Sequence, residues 1–231
     1  RSVVDEFGRS SDPQIYAIGD VAEKIDALDG EATLVPLANI ANRQGRTAAD
    51  HIAGRAVRPV ATIGTAIVKV FDRTVAATGW NEKRLVARGI PFIAIHTHPG
   101  SHAGDYPGSE QMALKLLVHR DSHLILGAQA VGGEGVDKRI DVIATAMRCS
   151  LPAPELADLE LAYAPPFGSA KDPVNMLGYM SENVMSGDCD VVQPDEIDGL
   201  VAQGWKLLDV RSAGDHNAGA IPGDVNVSVD D

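Results

Sequence analysis

The sequence predicts an α+β fold, an antiparallel sheet with packed helices over residues 60–185, with a strand–loop–helix segment before it at 1–57 and a third unit after it at 190–231. Three observations predict it. From residue 62 the apolar residues alternate with period two in successive short segments, the signature of half-buried strands. Val136, Ile140, Ile143 and Met147 then fall at helical spacing. A small, polar stretch from Ser186 to Val191 (SGDCDV) reads as a linker.

Taken in order, Gln14 to Asp20 (QIYAIGD) is an apolar run ending in Gly-Asp, which predicts a buried strand that delivers an acid at its carboxyl end. After a polar loop, Pro36 to Ile52 reads as a helix with Pro36 in its first turn and Gly54 as its stop. The segments TAIVKVFD and TVAATGW lie either side of Asp72-Arg73, a hairpin pattern. A short helix at Glu82 to Arg88 leads to the strand PFIAIHTH, and a Gly-rich loop runs from Pro99 to Gly108. Two strands follow at Met112 to His119 and Leu124 to Val131, the first presenting Met112, Leu114, Leu116 and Val118 on one face. In the helix from Gly135 to Met147, Asp137, Lys138 and Asp141 turn away from the apolar stripe. Leu161 to Met176 is a non-periodic, proline-rich stretch expected to form a rigid loop. Beyond the linker, QPDEIDGLVAQG carries a helix start and a Gly stop, and WKLLDV reads as a strand with Asp209 near its end.

At 231 residues, with 45% hydrophobic residues, the chain has apolar material for one or two cores. A net charge of −12 with no Lys/Arg run argues against nucleic-acid and anionic-membrane partners. No stretch approaches the roughly 18 apolar residues of a membrane span, and residues 1–15 have no signal-peptide core. A cytoplasmic protein is the expectation. The two cysteines, Cys149 and Cys189, have no metal-site spacing and no neighbouring histidine, so both are expected to be reduced and non-catalytic. The chain opens on Arg1 and closes on Asp231 just after the strand-like DVNVSV, and neither end looks natural.

Several residues could carry chemistry. Asp20, at a strand end, could accept hydrogen bonds from ligand hydroxyls, or simply form a turn. The helix opening at Pro36, Leu37 and Ala38 offers free backbone N–H groups and a positive dipole end to an anion or an electron-rich ring. The loop HTHPGSHAGDYPG gathers His96, His98, His102, Asp105 and Tyr106. It invites a metal reading, but a polar strand end turning through Gly and Pro is the simpler account, and no metal is expected. Tyr106 could donate a proton or hydrogen bond to a thiolate or oxyanion, or be a turn aromatic. Tyr163 and Lys171 stand in the proline-rich stretch, where a structural reading has Tyr163 packing and Lys171 facing Asp172 or solvent. No G-x-G-x-x-G or G-x-x-x-x-G-K-[ST] fingerprint is present.

The segments IYAIGDVAE and VPLANIANRQGRTAADHI resemble the second flavin-binding segment of the pyridine nucleotide-disulfide oxidoreductases. The resemblance implies that 1–57 is the C-terminal, α/β part of an FAD-binding domain, with Asp20 on the flavin ribityl chain and Pro36, Leu37 and Ala38 at the isoalloxazine edge. Residues 60–185 are similar to that family's dimerisation domain. GAQAVGGEGVDKRIDVIATAM and LELAYAPPFGSAKDPVNMLGYMSENV narrow it to the coenzyme A-disulfide reductase and NADH oxidase branch. By resemblance, tyrosines of this domain reach the partner subunit's active site and assist coenzyme A thiolate chemistry. Tyr163 matches one, and Tyr106 stands in the position of a tandem Tyr-Tyr-Pro-Gly loop whose pair here is Asp105-Tyr106. Residues 190–231, with LLDVRSAGDHNAGAIPGDVNVS, resemble the opening of a rhodanese domain.

The implied parent is a homodimeric flavoprotein. It would pass electrons from NAD(P)H through FAD to a redox cysteine outside this chain, reducing coenzyme A disulfide or a related small-molecule persulfide or polysulfide. The 231 residues alone are then an incomplete enzyme, expected to be inactive and colourless. An NADH oxidase or peroxidase, or a non-catalytic dimerising module, is the alternative.

Overall fold

Strands with period-two apolar patterning need a covered face, and here five of them share one sheet. The computed structural model describes residues 1–229. These fall into two compact units, Arg1–Cys189 and one beginning at Asp190.

In the larger unit a two-residue hairpin, β1 (Lys24–Ile25) with β2 (Ala32–Thr33), precedes helix α1 (Ala38–Ile52). The sheet follows, built from β3 (Ala66–Val70), β4 (Arg73–Gly79), β5 (Phe92–Thr97), β6 (Ala113–His119) and β7 (Ile125–Gly132), with α2 (Glu82–Ala87) between β4 and β5. Its order is β3-β4-β7-β6-β5 and every pairing is antiparallel. Helix α3 (Val136–Arg148), a 3-10 segment at Ala153–Asp158 and α4 (Pro173–Ser186) complete the unit. An antiparallel sheet with packed helices is therefore what the chain forms.

The core lies between one sheet face and these helices. Ile95, Leu114, Leu116, Val118, Ala128 and Ala130 meet Val136, Ile140, Ile143 and Met147 of α3 and Val174 and Leu177 of α4. Each large side chain buried this way contributes about 1.5–3 kcal/mol. On the opposite face Leu117, Ala94 and Leu126 pack with Trp80 and Leu85, so β6 is covered on both sides where Leu116, Leu117 and Val118 run together. Farther along that face Val68, Val75 and Val131 are cross-strand neighbours and stay exposed.

Residues ahead of the sheet are locked to it through Asp26. The Trp80 indole N–H donates to Asp26 Oδ2 at 2.9 Å, Arg84 reaches the same oxygen at 2.6 Å, and the Arg84 guanidinium sits 4.1 Å above the Trp80 ring.

The structure corrects three expectations. Gln14 to Asp20 is not a buried strand. One bridge joins Arg9 and Tyr16, a 3-10 turn occupies Gly19–Val21, and Ile15, Ile18 and Val21 are exposed. A buried strand needs hydrogen-bonding neighbours along its length, and the described residues supply only isolated bridges here. Pro36 lies outside α1, whose N-cap is Leu37. The hairpin turns at Phe71-Asp72, because Arg73 already pairs with Val70 in β4.

Helix α4 begins inside the stretch that reads as loop. Pro173 stands in its first turn, and the Asp172 side chain caps it by accepting from the Val174 N–H at 3.0 Å. Gly178 lets it press on the 3-10 segment, since a Cβ there would lie 2.1 Å from the Ala157 nitrogen.

The second unit holds a 3-10 turn at Pro194–Glu196, helices α5 (Ile197–Ala202) and α6 (Ala213–Ala218), and strands β8 (Leu208–Asp209) and β9 (Val225–Asn226), paired parallel. None of its described residues is fully buried. Among the described residues no helix is long and apolar enough to cross a membrane.

Candidate functional site

Two groups of side chains stand out in the larger unit. The first surrounds Asp20. Gly19, at φ +72, makes a turn that a side chain would strain, and its N–H donates to Gln44 Oε1 of α1 at 2.9 Å. A Cβ on Gly19 would lie 3.4 Å from the Ala41 Cβ, so the turn rests directly on the helix. Buried Lys24 fastens it from the other side, its ammonium donating to the carbonyls of Gly19 and Ala22. Burial holds the Lys24 pKa below the usual lysine value, against the pull of the Asp20 carboxylate.

Asp20 itself is exposed. An exposed carboxylate of this kind can accept hydrogen bonds from water or from hydroxyls. Helix α1 packs on this turn through Ala41 and Gln44, and at its N-terminus the Ile40 N–H donates to the Asn39 side chain at 2.7 Å while the amides of Ala38 and Asn39 lie ahead of it. Leu37 provides no side-chain cap, Pro36 and Ala38 are exposed, and Leu37 is half-buried. The first amides of α1 thus present a partial positive charge outward. The residues fit a ligand that combines hydroxyls with an electron-rich or anionic edge, as a flavin does. Lys24 and Gln44 have no sequence signal, because their roles lie in contacts to backbone turns.

The second group joins two loops. Tyr106 is exposed in the loop between β5 and β6, its ring meeting buried His102 edge-on at 5.6 Å. His102 Nδ1 lies 3.0 Å from the Ala103 carbonyl, and the Tyr106 N–H donates to the same carbonyl at 3.1 Å. Tyr163 is half-exposed in the proline-rich loop before α4. The loops touch where the Ala103 N–H donates to the Gly168 carbonyl at 2.8 Å. Both tyrosines are exposed on loops whose backbones are braced.

Beneath them lies a buried ion pair that sequence reading missed. Arg139 Nη2 and Nε donate to Asp172 Oδ2 and Oδ1 at 3.0 and 3.3 Å. In sequence Arg139 sits among Asp137, Lys138 and Asp141 and passes for part of a solvated face, and Asp172 is 33 residues away.

The remaining candidates separate. His96 and His98 are exposed and His102 is buried. Lys171 lies 5.3 Å over the Tyr179 ring rather than pairing with Asp172. Cys149 and Cys189 are both exposed. Among the described residues only Asp209, His216 and Asp224, in the second unit, bring three ligand-type atoms within 4.8 Å of one another. Arg211 pairs with one of the three, and His216 Nε2 lies 3.1 Å from Asp224 Oδ1. The Arg211 guanidinium bonds both Asp209 oxygens, at 2.6 to 3.1 Å, and lowers the Asp209 pKa to about 2.

Residues 65–173 match the dimerisation domain of the pyridine nucleotide-disulphide oxidoreductases. A coenzyme A disulfide reductase of Staphylococcus aureus (strain bovine RF122 / ET3-1) is 39% identical over 171 residues, covering 74% of this chain and 39% of that protein. Its counterpart in Staphylococcus haemolyticus (strain JCSC1435) is 38% identical over 183 residues, covering 79% of this chain and 41% of that protein. The chain thus spans about two fifths of the length of these relatives. Among solved structures, reduced CoADR-RHD of Bacillus anthracis is 48% identical with a TM-score of 0.94, covering 99% of this chain and 41% of that one. A NAD-dependent persulfide reductase from A. fulgidus is 34% identical with a TM-score of 0.89, over 99% of this chain and 41% of that one. A water-forming NADH oxidase from Lactobacillus brevis, 21% identical with a TM-score of 0.76 over 82% of this chain and 42% of that one, shares the fold.

Proposed function

We propose, from the premise that residues 65–173 are a pyridine nucleotide-disulphide oxidoreductase dimerisation domain, that this chain serves an FAD-dependent NAD(P)H oxidoreductase acting on coenzyme A disulfide or a related persulfide. The observation that carries the reading is the likeness over 99% of the chain to a CoADR-RHD at 48% identity and to a persulfide reductase at 34%. Bound FAD would relay two electrons from NAD(P)H toward the disulfide. The balance is NAD(P)H, one proton and a disulfide giving NAD(P)⁺ and two thiols.

This chain's residues then have definite tasks. Asp20 accepts from the flavin's ribityl hydroxyls. The open start of α1 at Pro36, Leu37 and Ala38 faces the electron-rich edge of the ring. Tyr163, with Tyr106 on the loop that touches its own, donates a hydrogen bond to the departing coenzyme A thiolate, which a phenol does while uncharged at neutral pH. A homodimer supplies these tyrosines to the opposite subunit, in the cytoplasm, where thiols stay reduced.

The second unit is the opening of a rhodanese-like domain in this account. Support comes from the parallel β8–β9 pair, the Asp209–Arg211 clamp and the run from Gly219 to Gly223.

Product analysis of a protein that joins this chain to its flavin and nicotinamide domains tests the reading. Under nitrogen, two thiols released for each NAD(P)H consumed is the expected result. Consumption that requires oxygen and ignores coenzyme A disulfide would replace it with the NADH oxidase reading.

A further inference from the structure

Lys138 and Arg139 are consecutive in the first turn of α3; Lys138 reaches the loop of Tyr163, and Arg139 reaches that loop and the loop of Tyr106. Arg139, 1% exposed, engages all three nitrogens of its guanidinium. Nη1 donates to the Gly135 carbonyl at 3.2 Å, and Nη2 donates both to Asp172 Oδ2 and, at 3.0 Å, to the carbonyl of Ser101. Ser101 lies at the start of the loop that carries Tyr106. Asp172 closes the loop that carries Tyr163 and caps α4. Lys138 Nζ stands 3.5 Å from Asp172 Oδ2 and donates at 3.5 Å to the carbonyl of Ala162, the residue before Tyr163.

We propose that Arg139, assisted by Lys138, is a positioning residue that holds the Tyr106 and Tyr163 loops in one fixed relation. The consequence for rate rests on the tyrosine roles proposed above; the positioning itself does not. A buried ion pair is a poor device for stability alone, since apolar replacements of similar volume are often neutral or better. What an apolar pair cannot supply is a rigid planar fork that binds a carboxylate from one loop and a carbonyl from another at once. The direct bond from the Ala103 N–H to the Gly168 carbonyl is consistent with loops kept in register from below. Adjacent positions on α3 divide the work. Arg139 spans both loops, while Lys138 touches only the Tyr163 side.

The test is fluorine NMR of the chain labelled with 3-fluorotyrosine, which has four tyrosines to report, Tyr16, Tyr106, Tyr163 and Tyr179, each assigned by its Phe variant. Arg139→Lys keeps a positive charge beside Asp172 but loses the fork. It is expected to shift or broaden the Tyr106 and Tyr163 signals and to leave Tyr16 in place. Lys138→Met, at a partly exposed position, is expected to move Tyr163 and not Tyr106.

In the complete oxidoreductase Arg139→Lys is expected to lower kcat for coenzyme A disulfide about 10- to 100-fold while KM changes by less than about threefold, the pattern of a misplaced rather than an unbound group. Signals of both tyrosines unmoved by Arg139→Lys, or Lys138→Met moving Tyr106 as much as Tyr163, would overturn the proposal. Moved signals with kcat unchanged would uphold the positioning and instead remove the catalytic role of the tyrosines.

Discussion

Lys24 shows how a single buried cation shapes a binding turn. Its ammonium holds the carbonyls of Gly19 and Ala22, and so fixes where Asp20 points. Lys24→Met should cost about 1.5–3 kcal/mol in urea unfolding, the usual worth of hydrogen bonds to a charged group, and weaken FAD binding in the complete oxidoreductase. The sign of the pH effect follows from its lowered pKa. The folded state gives up the Lys24 proton more readily than the unfolded chain, so this residue's contribution rises as pH climbs from the depressed pKa toward the ordinary lysine value. That rise should be absent in the Met variant. Asp20, Tyr106 and Tyr163 were legible in the sequence only as candidates, residues of a recognisable type in recognisable strings whose roles belong to the proposal. Lys24 and Arg139 were not, because their partners are carbonyls and a carboxylate brought near only by folding.

Among the elements, β6 and α3 were plain in the sequence and α4 was hidden, for one physical reason. Val136, Ile140, Ile143 and Met147 face a single covering sheet, so their spacing shows. Helix α4 buries Val174, Leu177, Gly178 and Ser181 at helical spacing, but Gly and Ser fill half of that face, so its apolar stripe is broken. The Asn175 amide alone donates to the carbonyls of Leu156, Ala157 and Leu159. Because a Cβ at 178 meets Ala157 backbone at 2.1 Å, Gly178→Ala should push the two segments apart and destabilise the unit by about 1–3 kcal/mol, read from thermal melting. Asp172→Asn keeps a cap for α4 but leaves Arg139 buried without its counter-ion. It should cost about 3–5 kcal/mol. In the second unit the Arg211 clamp holds Asp209 at a pKa of about 2. The contribution of this pair is present above the unfolded carboxylate pKa of roughly 4 and is lost as pH falls through the folded value. Arg211→Ala should return Asp209 to the ordinary range in a carboxyl NMR titration.

At the scale of the whole molecule, a buried sheet-and-helix core, an Asp26–Trp80–Arg84 lock and an Asp20–α1 turn form one unit, while the described residues from Asp190 on bury nothing fully. The sheet leaves Val68, Val75 and Val131 uncovered, and the proposed dimer predicts twice the chain mass in light scattering, where a strict monomer would count against it. The expected buried strand at Gln14 failed at this scale, since its residues have the apolar character of a strand but not the pairing partners. The most direct test of the account compares Tyr163→Phe with the unaltered protein in the complete oxidoreductase, following flavin reduction by NAD(P)H and thiol release from coenzyme A disulfide separately. The account predicts unchanged flavin reduction and thiol release slowed about 100-fold, the worth of one hydrogen-bond donor to a developing anion. Thiol release at the original rate would contradict it.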